Sequence, residues 1–252
     1  MLENIKILWH NGKQYIPDVT TAKVPGIFKG RPVIASNIKV DEDKLTALCP
    51  VKAIGLNPVS IDLGKCVFCG ECALAFPQKI RFTTDYKIAT NVRERLIVKE
   101  GDENPVTLDQ SIIRKEIKQL FSGSFKLRQV SAAGDNSCEW ELNASNNVQF
   151  DISRFGIDFV ASPRHADGIL ITGPISANMA EPLERCYNAT PDPKVIILAG
   201  TDAISGGIYA DSPALERSFL EKYPIDLYIP GNPAHPLTII NGIVDLIRKK
   251  KG

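Results

Sequence analysis

Four of the six cysteines in this 252-residue chain are spaced as metal ligands. Cys66, Cys69 and Cys72 form a Cys-x2-Cys-x2-Cys run, and sixteen residues separate this run from Cys49, which is followed by Pro50. Thiolates are soft ligands that bind iron–sulfur clusters and zinc. The spacing therefore predicts a metal centre held by Cys49, Cys66, Cys69 and Cys72.

An iron–sulfur cluster is the interpretation that this spacing favours. In bacterial two-cluster ferredoxins a Cys-x2-Cys-x2-Cys-x3-Cys-Pro run occurs twice, and the fourth cysteine of each run binds the other run's cluster. Cys49 would then be the fourth ligand of a first run, while Cys66, Cys69 and Cys72 begin a second. We expect these four thiolates to hold one 4Fe–4S cluster. Zinc is the alternative, although zinc modules usually pair two Cys-x2-Cys units.

The ligands of a second ferredoxin cluster are missing. The first run has Lys39, Glu42 and Leu45 at the positions of its other cysteines, and the second run ends in Phe76-Pro77. These four positions are the ones that would hold the second cluster. Random loss would rarely divide eight ligands so cleanly, so the sequence predicts one intact cluster site and one deleted site.

The composition is that of a globular protein with balanced charge. Apolar residues make up 44% of the chain, and 30 Lys and Arg against 29 Asp and Glu leave a net charge of +1. Neither nucleic acid nor an anionic membrane surface is an expected partner. No apolar run approaches the length of a membrane span, and the first residues lack a signal-peptide core. We expect a cytoplasmic protein with reduced thiols, which would reach a membrane through partner subunits.

The first part of the chain is predicted to be a domain of its own. Residues 1–100 hold the cysteine segment and short strands at 6–9 and 32–35, and we expect a ferredoxin-like α+β domain. A polar, turn-rich stretch marks its end. Residues 101–123 are predicted to form a linker that contains a helix at 107–120.

Residues 124–252 are predicted to form a second domain. Strands alternate with helices here, and the strands are apolar throughout. This pattern predicts a parallel sheet covered on both faces, and we expect a flavodoxin-like α/β domain. The predicted strands are 126–131, 155–162, 168–173, 194–200 and 225–231, and the predicted helices are 177–187, 215–222 and 237–249.

A series of short motifs runs through the second domain. In chain order they are Arg154-Phe155-Gly156-Ile157, Ser162-Pro163-Arg164-His165-Ala166-Asp167, Ile171-Thr172-Gly173-Pro174, Pro191-Asp192-Pro193-Lys194, Ser205-Gly206-Gly207-Ile208-Tyr209 and Tyr228-Ile229-Pro230-Gly231. With them, residues 125–247 resemble the small subunit of energy-converting (group 4, formate-hydrogenlyase type) nickel–iron hydrogenases. The same family includes the 20-kDa subunit of respiratory complex I. Upstream, the segment 28–32 (Phe-Lys-Gly-Arg-Pro) resembles the ferredoxin-like subunit of these complexes, so the chain looks like two electron-transfer subunits fused into one.

The resemblance implies a second cluster site that has lost its ligands. Family members hold a proximal 4Fe–4S cluster with four cysteines, and these positions fall on Asp135, Cys138, Asp202 and Asn232. Three of the four thiolates are therefore gone, and Cys138 alone cannot hold a cubane. Two interpretations of the vacated site stay open: polar replacements in a solvated or partner-covered cavity, or a mononuclear metal or ligand pocket formed by Asp135, Cys138, Asp202 and His235.

Two functions follow as hypotheses. In the first, the chain is an electron-transfer subunit of a hydrogenase-like or complex I-like oxidoreductase, carries one 4Fe–4S cluster and docks onto a large subunit. In the second, it is a non-catalytic scaffold or redox sensor that docks a large-subunit-like partner and whose cluster is structural. No residue is assigned a catalytic role, since the chain shows neither a nucleophile–base pair nor a phosphate-binding glycine loop.

Overall fold

The structure is a computed structural model that describes residues 2–12 and 14–248. The predicted second domain extends to residue 252, so its last four residues lie outside the described part of the chain. An antiparallel block comes first, and a block with a parallel sheet follows it.

The first block is a small α+β unit. Its elements are α1 (Leu2–Asn11), β1 (Pro32–Ile34), α2 (Glu42–Ala47), β2 (Ile54–Gly55), β3 (Ser60–Asp62), α3 (Glu71–Ala75), β4 (Ile80–Phe82) and β5 (Ile97–Lys99), with a 3-10 turn at Arg93–Leu96. Strand β1 pairs with β4, and β2, β3 and β5 form a three-stranded sheet in that order. All of these pairings are antiparallel, as an α+β unit requires.

The two helices beside the cysteines begin at residues suited to that position. The side chain of Asp41 caps α2 by accepting a hydrogen bond from the backbone N–H of Lys44 at 3.1 Å. Gly70 precedes α3 with a φ of +87°, a left-handed conformation that glycine adopts without steric cost. These caps fix the chain on either side of the cysteine segment, with Cys49 just beyond α2 and Cys72 within α3.

Two local predictions for the first half of the chain are wrong. The strand predicted at 6–9 is part of α1, because a run of four residues is too short to distinguish a strand from one helical turn. The helix predicted at 107–120 is present only as α4 (Lys115–Leu120). Upstream of α4 the chain is held by tertiary bonds: the Thr107 carbonyl accepts from the Thr90 hydroxyl, and the Asp109 N–H donates to Asn91.

The second block has a five-stranded parallel sheet. Its elements are β6 (Phe125–Ser131), α5 (Ser137–Ser145), β7 (Ile157–Phe159), β8 (Gly168–Thr172), α6 (Ala177–Ala189), β9 (Val195–Ala199), α7 (Thr201–Ser205), α8 (Phe219–Lys222), β10 (Leu227–Ile229) and α9 (Pro236–Ile247), with 3-10 turns at Ile152–Phe155, Pro163–His165 and Gly207–Tyr209. The strand order is β10-β9-β8-β6-β7. Counted along the chain this is 2-1-3-4-5, the flavodoxin-like order, so the predicted fold is confirmed.

Hydrophobic packing covers both faces of the sheet and joins the two blocks. Every residue of β8 and β9 is buried, which explains their unbroken apolar sequences. On one face, the sheet packs against α5 and α9 together with Val19 and Tyr86 of the first block. On the other face, the sheet shares a core with Leu45, Ile61 and further residues of the first block. None of the helices within residues 2–12 and 14–248 has the length and apolar character that a membrane crossing requires.

Candidate metal centre

The four predicted ligands line one cavity. Cys49 follows α2, Cys66 and Cys69 lie in the loop after β3, and Cys72 lies in α3. The other lining residues are Leu48, Pro50, Val51, Ala53, Ile54, Ile61, Val67, Gly70, Glu71 and Phe82. Glu71 is the one charged residue among these ten. Cys66 and Cys72 are buried, whereas Cys69 is exposed to solvent. The structure therefore brings together the four cysteines that the sequence spacing singled out.

Backbone N–H groups point at two of the four sulfurs. Ala53 donates to Cys49 Sγ at 3.2 Å, and Phe68 donates to Cys66 Sγ at 3.3 Å. A hydrogen bond from an N–H group stabilises a thiolate more than a thiol, because the thiolate carries the full negative charge. The loops around the cavity are thus arranged for sulfur in its ligating form.

Burial makes these thiols poor acids in the absence of a bound cation. Desolvation, with a smaller contribution from the neighbouring cysteines, raises the pKa of Cys66 to about 12 and that of Cys72 to about 11. Four thiolates this close in an apolar cavity need several positive charges among them. The donor set is that of a 4Fe–4S cluster, in which each cysteine binds a different iron, so the residues present fit this group.

A site for one metal ion is a different arrangement, in which all ligands converge on one point. Among residues 2–12 and 14–248, no group of three or more His, Cys, Asp and Glu side chains has the geometry to hold a metal ion in this way.

The residues that the family resemblance places at the proximal-cluster positions also come together. Asp135, Cys138, Asp202 and Asn232 lie just beyond the carboxyl ends of strands, where parallel sheets usually place their sites. Asn232 Nδ2 donates to Asp202 Oδ1 at 3.4 Å. Cys138 is buried, and burial raises its pKa to about 12. Its sulfur packs against Gly200, where any side chain would collide with it.

The charge on Asp202 is unfavourable at this position. The side chain is buried, and desolvation followed by the charge of Asp135 raises its pKa to about 6. Arg217 opposes this shift, but its guanidinium donates its hydrogen bonds to the backbone carbonyls of Pro174, Asp202 and Ala203.

Glu139 and Arg217 belong to this polar cluster but were not singled out from the sequence. Glu139 Oε1 accepts from the hydroxyls of Ser131 at 2.6 Å and Thr172 at 2.7 Å, the last residues of β6 and β8. Ser131 and Thr172 lie on the two strands that flank the reversal of strand order. Polar residues at the ends of these two strands indicate a polar site at this edge of the sheet. Glu139 follows β6 closely in the sequence, so it could have been predicted to lie there. Arg217 lies in the loop before α8 and offers no comparable signal.

His235 serves a structural purpose instead of joining this cluster. Its Nδ1 accepts a hydrogen bond from the Leu237 N–H at 3.2 Å and so caps α9. Its ring packs edge-on against Phe28 and Phe150. Burial lowers its pKa, which keeps the imidazole neutral and able to accept this bond.

Thr201 connects the two sites directly. Its buried hydroxyl lies 2.9 Å from the carbonyl oxygen of Cys66 and 3.1 Å from that of Gly231, and it donates to both. The Thr201 N–H also donates to Gly231 at 2.8 Å. Helix α7, which carries Asp202, and the loop that carries Asn232 are therefore tied to one cysteine of the candidate metal centre.

Comparison with known proteins identifies relatives of the second block. The family described as "NADH ubiquinone oxidoreductase, 20 Kd subunit" matches residues 136–246. A probable membrane-bound hydrogenase subunit, mbhJ, from Pyrococcus furiosus is 35% identical over 140 residues, which cover 54% of this chain and 84% of that protein.

Two further relatives are subunits of other oxidoreductase complexes. Formate hydrogenlyase subunit 7 of Escherichia coli is 37% identical over 140 residues, which are 55% of each chain. NAD(P)H-quinone oxidoreductase subunit K 2 of a Cyanothece species is 35% identical over 150 residues, which are 58% of each chain. The chain thus spans little more than half the length of these two proteins. With the match to the family and these relatives together, the chain belongs to the NADH ubiquinone oxidoreductase 20 Kd subunit family.

Proposed function

We propose that this protein is an electron-transfer subunit that carries a single 4Fe–4S cluster, held by Cys49, Cys66, Cys69 and Cys72. The observation that carries the proposal is the arrangement of these four thiols around one apolar cavity, with backbone N–H groups directed at Cys49 and Cys66. A bound 4Fe–4S cluster accepts and releases one electron at a time.

Different residues around the cavity would bind such a cluster, stabilise its sulfur ligands and exclude water from it. The thiolates provide the bonds to iron, and the two N–H donors stabilise the sulfurs. The apolar lining, with Ile61 and Phe82 among it, keeps water away on the buried side. The exposed Cys69 marks the side of the site that a redox partner can approach most closely.

The proposal includes the loss of the proximal cluster. Asp135, Asp202 and Asn232 offer oxygen and amide groups where a cubane needs thiolates, and Cys138 remains as a single buried thiol. Asp202 and Asn232 are hydrogen-bonded to each other, which suits polar residues that satisfy one another. An electron that enters at the cluster held by Cys49, Cys66, Cys69 and Cys72 therefore has no proximal cluster through which to pass to a large subunit.

The partners that we propose are the other subunits of a hydrogenase-like or complex I-like assembly, above all a large subunit. Support comes from the relatives, which are named as subunits of a membrane-bound hydrogenase, a formate hydrogenlyase and an NAD(P)H-quinone oxidoreductase. Association with a membrane would come through such partners.

A scaffold with a structural cluster is the second candidate, and one observation favours it. Cys66 and Cys72 belong to the same hydrophobic core as Ile196 and Leu198 of the sheet, and Thr201 bonds to the Cys66 carbonyl. A cluster bound at this point would brace the contact between the two blocks, much as a structural metal contributes to folding.

Replacing one exposed ligand distinguishes the two candidates. In anaerobically purified protein, we expect wild type to show a reversible paramagnetic signal on reduction. The variant Cys69→Ala should lose this signal but keep its far-ultraviolet circular dichroism and most of its resistance to urea. Cys186→Ala, which removes a half-buried thiol of α6, is the matched control and should keep both.

Two results would contradict the electron-transfer proposal. A cluster in wild type that no reductant of biological potential can reduce would favour the scaffold. So would a Cys69→Ala variant whose first block unfolds as soon as the cluster is lost.

A further inference from the structure

Lys29 lies across the loop that carries two of the four cysteines. Gly70 stands between Cys69 and Cys72, and a methyl group on it would lie 2.5 Å from Cε of Lys29 and 3.5 Å from Nζ. The lysine side chain thus occupies the space beside Gly70 and brings its ammonium group to the edge of the metal centre. The contact joins residues 41 positions apart in the sequence, so it depends on the fold.

The backbone that carries Lys29 is fixed in place. The Gly30 N–H donates to the Thr83 carbonyl at 2.7 Å, and the Arg31 N–H donates to the Asp85 carbonyl at 3.0 Å. Gly30 packs so closely on the Asp85 backbone that any side chain there would collide with it. Lys29 therefore extends from a backbone segment that tertiary contacts hold in place beside the loop.

The charge of Lys29 is available to the metal centre. In the described part of the chain, Lys79 pairs with Glu100 and Lys52 pairs with Asp211, but no ion pair includes Lys29. An ammonium group without a carboxylate partner keeps its full attraction for other negative charges nearby. Gly70, against which the Lys29 side chain lies, lines the same cavity as the four cysteines, so the thiolates of the proposed holoprotein lie on that side of the lysine.

We infer that Lys29 is an electrostatic tuning residue of the cluster and raises its reduction potential. The inference rests on the proposed function, since it requires the cluster to be present. Reduction adds one negative charge to the cluster, and a fixed positive charge stabilises the reduced state more than the oxidised state. Removal of the charge should make the cluster harder to reduce without removing any ligand.

The test is a potentiometric titration of anaerobically purified full-length protein, followed by electron paramagnetic resonance. We expect Lys29→Gln to disfavour reduction about tenfold, a shift of about 59 mV to more negative potential for a one-electron couple. Lys29→Arg, which keeps the charge, should stay close to wild type. High salt should reduce the difference between Lys29→Gln and wild type, since the lysine is exposed to solvent.

Lys87→Gln is the matched control. Lys87 is also an exposed lysine of the first block, but its charge acts on Asp18 instead of the cysteine loop. Its removal should leave the potential unchanged. A Lys29→Gln protein with full iron content and the wild-type potential would overturn the inference while leaving the proposed function intact.

Iron content separates the remaining outcomes. If wild type binds no iron, the proposed function fails first. If Lys29→Gln loses its iron but Lys29→Met keeps it, the reduction potential is measured on Lys29→Met, which also lacks the charge. A negative shift supports the inference, and the wild-type potential overturns it. If both neutral variants lose iron and Lys29→Arg retains it, the charge is required to hold the cluster, which supports its placement at the site. If Lys29→Arg loses iron as well, a role for charge is refuted.

Discussion

Asp202 is the residue at which the burial of a charge has the clearest energetic consequence. Its carboxyl group is buried between Asp135 and Arg217, and its pKa is raised to about 6 from an ordinary value near 3.8. The folded protein therefore binds a proton at Asp202 more tightly than the unfolded chain does. As the pH rises from about 4 through 6, the folded state must give up this proton, so this residue lowers stability in that range and remains unfavourable above it.

Removing the charge of Asp202 should stabilise the protein at neutral and alkaline pH. We expect Asp202→Asn to raise the free energy of unfolding by about 2–3 kcal/mol at pH 8. The gain should fall to roughly half at pH 5, where much of the wild-type carboxyl group is protonated in the folded state. Urea unfolding at the two pH values measures both quantities.

Asp211→Asn provides the control for this measurement. Asp211 is exposed and pairs with the equally exposed Lys52, so its removal should change stability little at either pH. A stability gain for Asp202→Asn that is the same at pH 5 and pH 8 would show that the carboxylate charge is not its cause.

At the level of secondary structure, prediction from the sequence succeeded where an element's own residues determine its conformation. It failed where hydrogen bonds to distant residues do. Strands β8 and β9 are buried, largely apolar runs, and β6 has the buried apolar residues Phe125, Leu127 and Val130 among polar ones. All three strands lie where they were predicted. The segment before α4 followed a helical pattern, yet hydrogen bonds from Thr90 and to Asn91 hold it outside the helix. Such bonds depend on residues that are distant in the sequence.

The same distinction applies to the candidate site. The short spacing of Cys66, Cys69 and Cys72 keeps three thiols close, and the match of Cys49-Pro50 to the ferredoxin pattern was sufficient to add the fourth. The contacts of Thr201 and Lys29 with the cysteine loop could not be predicted in this way. Thr201 reaches Cys66 across 135 positions, and only the packing of the two blocks brings them together.

The bond between α7 and the cysteine loop should contribute to stability. Thr201→Val keeps the shape of the side chain but removes the hydroxyl that donates to the Cys66 carbonyl, whereas the Gly231 carbonyl still accepts from the N–H of residue 201. We expect a loss of about 1–3 kcal/mol in the free energy of unfolding, the usual cost of a buried polar group left without a partner. Anaerobic urea titrations of the two proteins measure the difference.

Thr201→Ser is the conservative control, since it retains the hydroxyl. It should recover most of the stability that Thr201→Val loses. If both variants are equally destabilised, packing of the Thr201 methyl group explains the effect and the hydrogen bond does not.

At the scale of the whole molecule, the two blocks behave as parts of one hydrophobic structure. Residues of the first block, among them Val19 and Leu63, lie in the same two hydrophobic cores as the strands of the sheet. Thr90 and Tyr228 add a pair of backbone hydrogen bonds, at 3.0 and 2.8 Å, between the blocks. Loss of structure in either block should therefore expose the core of the other.

Unfolding of the full chain should accordingly be one cooperative transition. Under anaerobic conditions, the visible absorbance of the cluster and the far-ultraviolet circular dichroism should change at the same urea concentration. Loss of visible absorbance well before the circular dichroism changes would show that the first block opens independently and that the shared cores do not couple the blocks.

The central claim is that Cys49, Cys66, Cys69 and Cys72 hold one 4Fe–4S cluster and that the proximal site holds none. Its most direct test is the iron and acid-labile sulfide content of anaerobically purified full-length protein, with zinc measured in the same sample. We predict about four irons and four sulfides per chain, and loss of all of them in Cys66→Ser. About eight irons per chain, or zinc without sulfide, would contradict the claim.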